Sequence, residues 1–556
     1  MYNLLIGGAA GQGIETTAAI LEKFLKRSGY HVLTIRDFMS RVRGGHNFSL
    51  IRFGTEPIRS HSDRLDGIIA LDDETVHEHR DQLNETGFIL GDSKLSATDD
   101  RLIKVDMAGM AKELGNPRVS GIIAVGILLK MFGETLDGAE DVLGTFVKQQ
   151  YLQINQKALE QGYAIAEKRY EHLDGKYSGW MLISGNHAVA LGAVAAGLRF
   201  YSAYPMSPST SILETLAALG DEAGVVVEQA EDEIAAINMA IGASYAGARA
   251  MTGTSGGGFS LMVEALGLSG MAEIPLVVID VQRPGPVTGL PTRTEQSDLR
   301  FVISASQGEF PRMVIALRNQ EDAFYQTMRA FHLAEAYQIP VILLSDQYLG
   351  DATATVEPFD PTRIRVADPA SSYDGEDEYL RYRYSEDGIS PRLIPGKTKH
   401  LVAIDSDEHD ERGWITESAE VRTKMVDKRM KKIEGFRREL LEPDMIGPED
   451  FDTLLLGWGS TWGPIAEAVR LLNQKGQGRY AALVFGDVYP LPQKLLKEKA
   501  AQAKRLINVE QNATGQLAGL IREETGIVCT DSVLKYDGRQ ISAEEIAARI
   551  RKEGAK

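Results

Sequence analysis

Three stretches between residues 200 and 300 gather side chains able to do chemistry. The first is Tyr204-Pro205-Met206-Ser207-Pro208-Ser209-Thr210, with three hydroxyls placed where a helix is expected to begin. Capping explains one or two of them, and the two prolines hold the loop still. The second is the acidic run Glu228-Gln229-Ala230-Glu231-Asp232-Glu233, followed by a small-residue stretch to Ala243. An acidic start complementing the helix dipole is its plain reading. A helix of small residues packs closely, however, so Glu233 is open to burial, and a buried carboxylate needs a partner. The third runs from Arg283 to Asp298, after the apolar strand Leu276–Val281. That is the carboxyl end of an expected parallel strand, where open α/β sheets bind ligands. Arg283 and Arg293 could each grip a carboxylate with two N–H donors.

A further motif stands at the N-terminus. Gly7-Gly8-Ala9-Ala10-Gly11-Gln12-Gly13 lies between a strand and a helix, where backbone amides can meet an anion. The spacing is not that of the dinucleotide fingerprint and contains no P-loop lysine. A phosphate-bearing ligand and a tight structural turn fit equally well, and Asp37 keeps a nicotinamide nucleotide weakly in view. Arg41 and Arg43 stand just before the diglycine Gly44-Gly45, where they either grip an anion or are surface arginines of an exposed turn.

Strands alternating with helices must position these residues. Tyr2–Ile6, Ile14–Arg27 and His31–Ile35 read as a βαβ unit, with further strands at Phe48–Arg52, Gly67–Leu71 and Gly87–Leu90 and a helical tail over Ala139–Tyr170. Residues 180–350 alternate in the same way, with strands near Ala203, Val225, Ala248, Leu276 and Val341, which predicts a parallel sheet covered on both faces. Residues 352–446 carry prolines and charges and read as an extended linker. It ends in a charged helix over Arg422–Leu441, for which a solvated strut is the ordinary interpretation. Another α/β unit follows Asp452. At roughly 150 residues per domain, 556 residues allow three or four domains.

Composition narrows the function classes. A net charge of −18 argues against a nucleic-acid partner. The single cysteine, Cys529, excludes an internal disulfide framework and a four-thiolate cluster. No apolar run reaches the roughly 18 residues of a membrane span, and the start reads as a strand where a signal peptide would need a basic region. A cytoplasmic protein is expected.

Together these motifs resemble the 2-oxoacid:ferredoxin oxidoreductase family, in the form of an α subunit with a fused γ domain. The family's Tyr-Pro-Ile-Thr-Pro-Ser loop reads here Tyr204-Pro-Met-Ser-Pro-Ser209. The glycine-rich start and the Arg43-Gly-Gly loop look like the γ domain. Gly457-Trp-Gly-Ser460 and Val509-Glu510-Gln-Asn512-Ala-Thr-Gly-Gln516 look like a transketolase-type tail, and Glu408-His-Asp-Glu-Arg-Gly413 also recurs. The resemblance implies a multidomain α/β chain. It would have a Rossmann-like γ domain (1–175), a thiamine-diphosphate pyrimidine-binding domain (180–350), a linker with a charged helix (351–446) and a transketolase C-terminal-like domain (447–556).

It also implies an activity: coenzyme A-dependent oxidative decarboxylation of a 2-oxoacid, 2-oxoglutarate foremost, with electrons passing to ferredoxin. Glu233 matches the carboxylate that bonds the aminopyrimidine of thiamine diphosphate, with Pro205 beside it. Tyr204, Ser207 and Arg293 fall to the substrate, Arg293 on its carboxylate; Ser207 keeps the hydroxyl of the family threonine and loses its methyl. Gly11, Gln12, Gly13 and Arg43 fall to coenzyme A. The Gly-Asp-Gly diphosphate motif is replaced by Gly91-Asp92-Ser93 with Asn116, in the wrong domain. Diphosphate, Mg²⁺ and a 4Fe–4S cluster are therefore expected on a smaller β subunit. The pocket would lie at the interface, in a dimer of αβ heterodimers. A nicotinamide-dependent dehydrogenase and a nucleotide-binding scaffold are the competing readings.

Overall fold

The computed structural model describes residues 1–40, 45–368, 378–474, 476 and 478–553. Twenty strands are found among them. They are β1 (Tyr2–Ala9), β2 (His31–Asp37), β3 (His46–Gly54), β4 (Leu65–Ala70), β5 (Leu83–Asp92), β6 (Leu102–Val105), β7 (Met181–Ser184), β8 (Phe200–Ala203), β9 (Val226–Gln229) and β10 (Ala250–Thr254). Then come β11 (Leu276–Gln282), β12 (Met313–Ala316), β13 (Pro340–Asp346), β14 (Thr353–Val356), β15 (Asp444–Ile446), β16 (Thr453–Trp458), β17 (Tyr480–Phe485), β18 (Asp487–Tyr489), β19 (Arg505–Glu510) and β20 (Asp531–Leu534). The chain divides into two compact units, one of residues 1–183, 351–358 and 542–544, the other of 184–350, 359–541 and 545–556.

The first unit holds an eight-stranded sheet ordered β6-β5-β4-β1-β3-β2-β14-β7. The expected βαβ unit is split. Antiparallel β3 lies between β1 and β2, running from Tyr2↔Phe53 to Ala9↔His46 on one side and from His31↔Gly54 to Asp37↔Phe48 on the other. The link between β2 and β3 is too short for a crossover helix, so β3 returns as a hairpin partner. The helical tail expected over 139–170 is broken. Val147 and Lys148 are extended, and they separate the Ala139–Phe146 helix from the Leu152–Ile165 helix. The latter packs on the Ser120–Met131 helix through Gly126 and Gly162, where any Cβ would strike the opposite backbone at 2.1 Å.

The second unit holds two sheets. The larger is ordered β18-β12-β13-β11-β10-β8-β9 and is parallel except for β18. The smaller, β15-β17-β16-β19-β20, is parallel except for β15. One hydrophobic cluster runs from Ile237 and Phe259 through Leu276 and Leu344 to Trp458, Phe485 and Leu517.

The stretch expected as an extended linker is tied down at both ends. β14 joins the first sheet, pairing with β2, and the charged helix is Ala419–Phe436. That helix is not a solvated strut. Met425, Lys428, Arg429, Lys432 and Phe436, at helical spacing, form a buried face. Lys428 Nζ bonds both Glu273 oxygens at 2.7 and 2.9 Å, and Lys432 Nζ reaches Glu273 Oε2 at 2.5 Å. Arg429 holds Glu408 with both arms at 3.0 and 2.8 Å. The charge pattern hid this because buried cations paired with distant carboxylates look like surface cations in sequence. Burial pushes the Lys432 ammonium down to about 7 against the opposing pull of Glu273. Among the described residues, no helix is long and apolar enough to cross a membrane.

Candidate active site

The carboxyl ends of β8, β9, β10 and β11 carry the candidate residues in the second unit. β8 ends one residue before Tyr204. Tyr204 and Ser207 are exposed, and Pro205 and Met206 are half-buried. The Ser209 hydroxyl donates to Met206 O at 2.8 Å and makes no side-chain cap on the helix that follows, so it closes the loop. Asn186 Nδ2 braces the same loop through Pro208 O at 2.8 Å.

The acidic run divides by exposure. Glu228, Glu231 and Asp232 face solvent, and Asp232 caps the helix Glu233–Tyr245 by accepting from Ala235 N at 2.8 Å. Glu233 turns inward and is 4% exposed. Its Oε1 is buried and has no hydrogen-bond donor. It sits against Gly258 in the first turn of the helix Gly256–Met271, at a position where a Cβ would also meet Thr254 Oγ1. Thr254 ends β10, and its hydroxyl lies 3.8 Å from Met206 Sδ. Sequence reasoning missed Thr254 and Gly258. Their signal was Gly256-Gly257-Gly258 one residue after a strand, a place where something must approach the backbone closely.

Arg283 follows β11, and its Nη1 donates to Ser207 O at 2.7 Å. Burial lowers its guanidinium from the ordinary range. Arg293 is half-buried, and its side chain packs on Gly538. The segment after it is locked to the smaller sheet. Gln296 Nε2 donates to Trp458 O at 2.8 Å, Gln296 N to Gln511 O at 2.7 Å, and Gln516 Nε2 to Ser297 O at 2.7 Å. Buried Glu510 accepts from Trp458 Nε1 at 3.0 Å and from Leu517 N at 2.9 Å. The two tail motifs thus brace the 294–300 segment.

The glycine turn lies in the first unit. Gly11 and Gly13 have φ of 95° and 82°, which glycine adopts at little cost. Gly13 precedes the Ile14–Arg27 helix with no side-chain cap, leaving first-turn amides to another acceptor. A cavity of about 390 Å³ opens there, lined by Gly11, Gly13, Thr16, Arg36, Asp37 and Phe48 among others. Gln12 is used by its own turn. Its Oε1 accepts from Ala9 N at 2.7 Å, and its Nε2 donates to Leu71 O at 3.4 Å. Arg43 lies outside the described residues.

Comparison with known proteins gives this arrangement a family. The family described as "Pyruvate flavodoxin/ferredoxin oxidoreductase, thiamine diP-bdg" matches residues 191–428, and "Pyruvate ferredoxin/flavodoxin oxidoreductase" matches 3–165. The chain is an oxidoreductase subunit by class. A 2-oxoacid:ferredoxin oxidoreductase subunit alpha of Sulfolobus sp. is 33% identical across 99% of this chain and 97% of its own length. The 2-oxoglutarate oxidoreductase subunit KorA of Mycobacterium tuberculosis is 34% identical across 80% of this chain and 70% of its own. A solved 2-oxoglutarate:ferredoxin oxidoreductase from Magnetococcus marinus, with 2-oxoglutarate, coenzyme A and succinyl-CoA bound, covers 99% of both chains at a TM-score of 0.93 and 31% identity. This chain belongs to the 2-oxoacid:ferredoxin oxidoreductase α-subunit family.

Proposed function

We propose that the chain, with its γ part fused, converts a 2-oxoacid and coenzyme A to an acyl-CoA and carbon dioxide, passing the electrons to ferredoxin. 2-Oxoglutarate is the proposed substrate, and the cytoplasm the proposed compartment. The observation that carries this reading is Glu233: a buried carboxyl whose Oε1 has no donor, at the carboxyl edge of a parallel sheet. Such an oxygen fits a heteroaromatic ring nitrogen with which it can share a proton. Thiamine diphosphate, when bound, supplies the electron sink that decarboxylation needs.

Each residue then has a task. Glu233, itself buried, would hold or return a proton at Oε1. Pro205 and Met206 would help hold the ring, and Ser207 would offer a hydroxyl to the substrate with Tyr204 beside it. Arg283 and Arg293 are the candidates for its carboxylate. Arg283 leads because its guanidinium already reaches the Ser207 loop. Gly11 and Gly13, with the uncapped helix and its cavity, would hold an anionic part of coenzyme A. Gln12 supports that turn, and Arg43 is assigned to the same ligand by resemblance alone.

A β subunit is proposed to bring diphosphate, Mg²⁺ and the 4Fe–4S cluster. The single cysteine of this chain supports that division, and burial pushes its thiol up to about 11. Exposed Ile234 and Met239 on the Glu233 helix and Leu261 on the neighbouring helix support a partner covering this face. Residues 180–350 are assigned as the pyrimidine-binding part and 447–556 as the transketolase-like part, in a dimer of αβ pairs. The test is co-purification with the β subunit and assay against a panel of 2-oxoacids with coenzyme A and a viologen dye. A colourless lone chain with no turnover on any 2-oxoacid would contradict the reading.

A further inference from the structure

Beside the turn that seats Glu233 lie two carboxylates with no part in the chemistry proposed for Glu233. Asp280, on β11, is fully buried and stands next to Thr254 of β10 in parallel register. Asp298 closes the segment that begins at Arg283. Its N–H donates to Gln282 Oε1 at 3.0 Å, and a Cβ on Gly256 would fall 2.4 Å from its Oδ2. Both Asp280 oxygens and Asp298 Oδ2 are buried without a donor.

The charged groups on the surrounding elements do not neutralise the pair. Asp346 on β13 is bonded to Ser460, and Glu233 and Glu295 add further acids. Asp537, beyond β20, acts on Glu295. Arg283 is directed to Ser207 O at 2.7 Å, and Arg300 to Glu523 at 2.5 Å. On the helix Gln320–Tyr337, Arg329 is taken by Asp487 and Glu335 by Arg392. Arg293, on the same segment as Asp298, packs on Gly538. Gln282, two residues beyond Asp280 and on the same face of β11, holds Asp298 N–H, so the two carboxyls share that face with no cation between them. They do not both ionise at neutral pH, and they titrate as a unit.

We propose that Asp280 and Asp298 share one proton and act as a positioning pair, keeping the Gly256–Gly258 turn seated against Thr254 and Glu233. Burial first, and then the charge of Asp298, pushes Asp280 well up, and burial lifts Asp298 to about 6. Loss of the shared proton at alkaline pH places like charges beside Thr254 and against Gly256 and drives the turn away from Glu233. The positioning half rests on the reading of Glu233 given above; the shared proton does not.

Asp280→Asn and Asp298→Asn, made in the assembled two-subunit enzyme, separate these halves. Each variant removes the second ionisation. The alkaline fall in kcat should move up by about one pH unit or more with KM unchanged. The variants should also melt above wild type by a margin that grows from pH 5 to pH 8. The protonated-carboxyl infrared band of the wild-type chain at neutral pH should lose the Asp280–Asp298 component in Asp280→Asn, leaving that of Glu295, which burial lifts to about 7. Superimposable melting and infrared profiles would overturn the shared proton. A moved melting profile with an unmoved kcat profile would overturn the positioning role. Stabilisation of wild type by sodium or magnesium, lost in Asp280→Asn, would mean that a cation neutralises the pair and would overturn the proposal. A wild-type complex with no 2-oxoacid turnover would sink the reading of Glu233 while leaving the infrared result readable.

Discussion

Glu233 Oε1 and Thr254 Oγ1 converge on one point above Gly258, where an added Cβ would lie 2.6 Å from the first and 2.0 Å from the second. One residue from the start of the helix Glu233–Tyr245, one from the end of β10 and one from the start of the helix Gly256–Met271 therefore define a single small volume.

Gly258→Ala should disturb this volume directly. Overpacking of this kind costs about 1–3 kcal/mol. Displacement of a catalytic carboxyl should lower kcat by about tenfold or more, with less effect on KM. Thermal melting and steady-state kinetics of the complex check both. A variant with wild-type kcat would mean that the turn relaxes without moving Glu233.

The two arginines separate by kinetics. Arg283→Ala removes the bond to Ser207 O and should raise KM for the oxoacid by about tenfold or more, the scale of a lost charged hydrogen bond. Arg293→Ala should change KM less. If the order is reversed, the carboxylate grip belongs to Arg293.

Glu273 tests the charged helix. Glu273→Gln leaves Lys428 and Lys432 buried without their counter-charge. Removing one partner of such a group costs about 3–5 kcal/mol. Denaturant unfolding should report that loss, and Lys428→Met with Lys432→Met in the same chain should recover part of it. Unchanged stability in Glu273→Gln would return the helix to the role of a surface strut.

Much of this was legible in the residues. Apolar runs located the strands of the parallel sheet around Leu276–Gln282 and Pro340–Asp346, because fully buried strands are continuous hydrophobic stretches. Glu233 was legible as a buried acid because the small residues after it imply close packing. The split sheet was not, because alternation gives strands but not their order. The buried lysines were hidden because their partner, Glu273, lies more than 150 residues away in sequence. Thr254, Asp280 and Asp298 escaped notice for a related reason. Each is unremarkable alone; the adjacency of β10 and β11 brings Thr254 to Asp280, and contacts with Gln282 and Gly256 bring Asp298. The hydrogen bond by which Gln12 Oε1 closes its own turn was not legible either, because short-range backbone geometry decides it.

The most direct measurement is the turnover of Glu233→Gln in the purified complex with its β subunit, 2-oxoglutarate, coenzyme A and a viologen acceptor. The volume is kept, so the variant should fold and assemble as wild type does, while kcat falls by about 10²-fold or more. Wild-type kcat in a correctly assembled variant would contradict the role of Glu233 and the functional reading built on it.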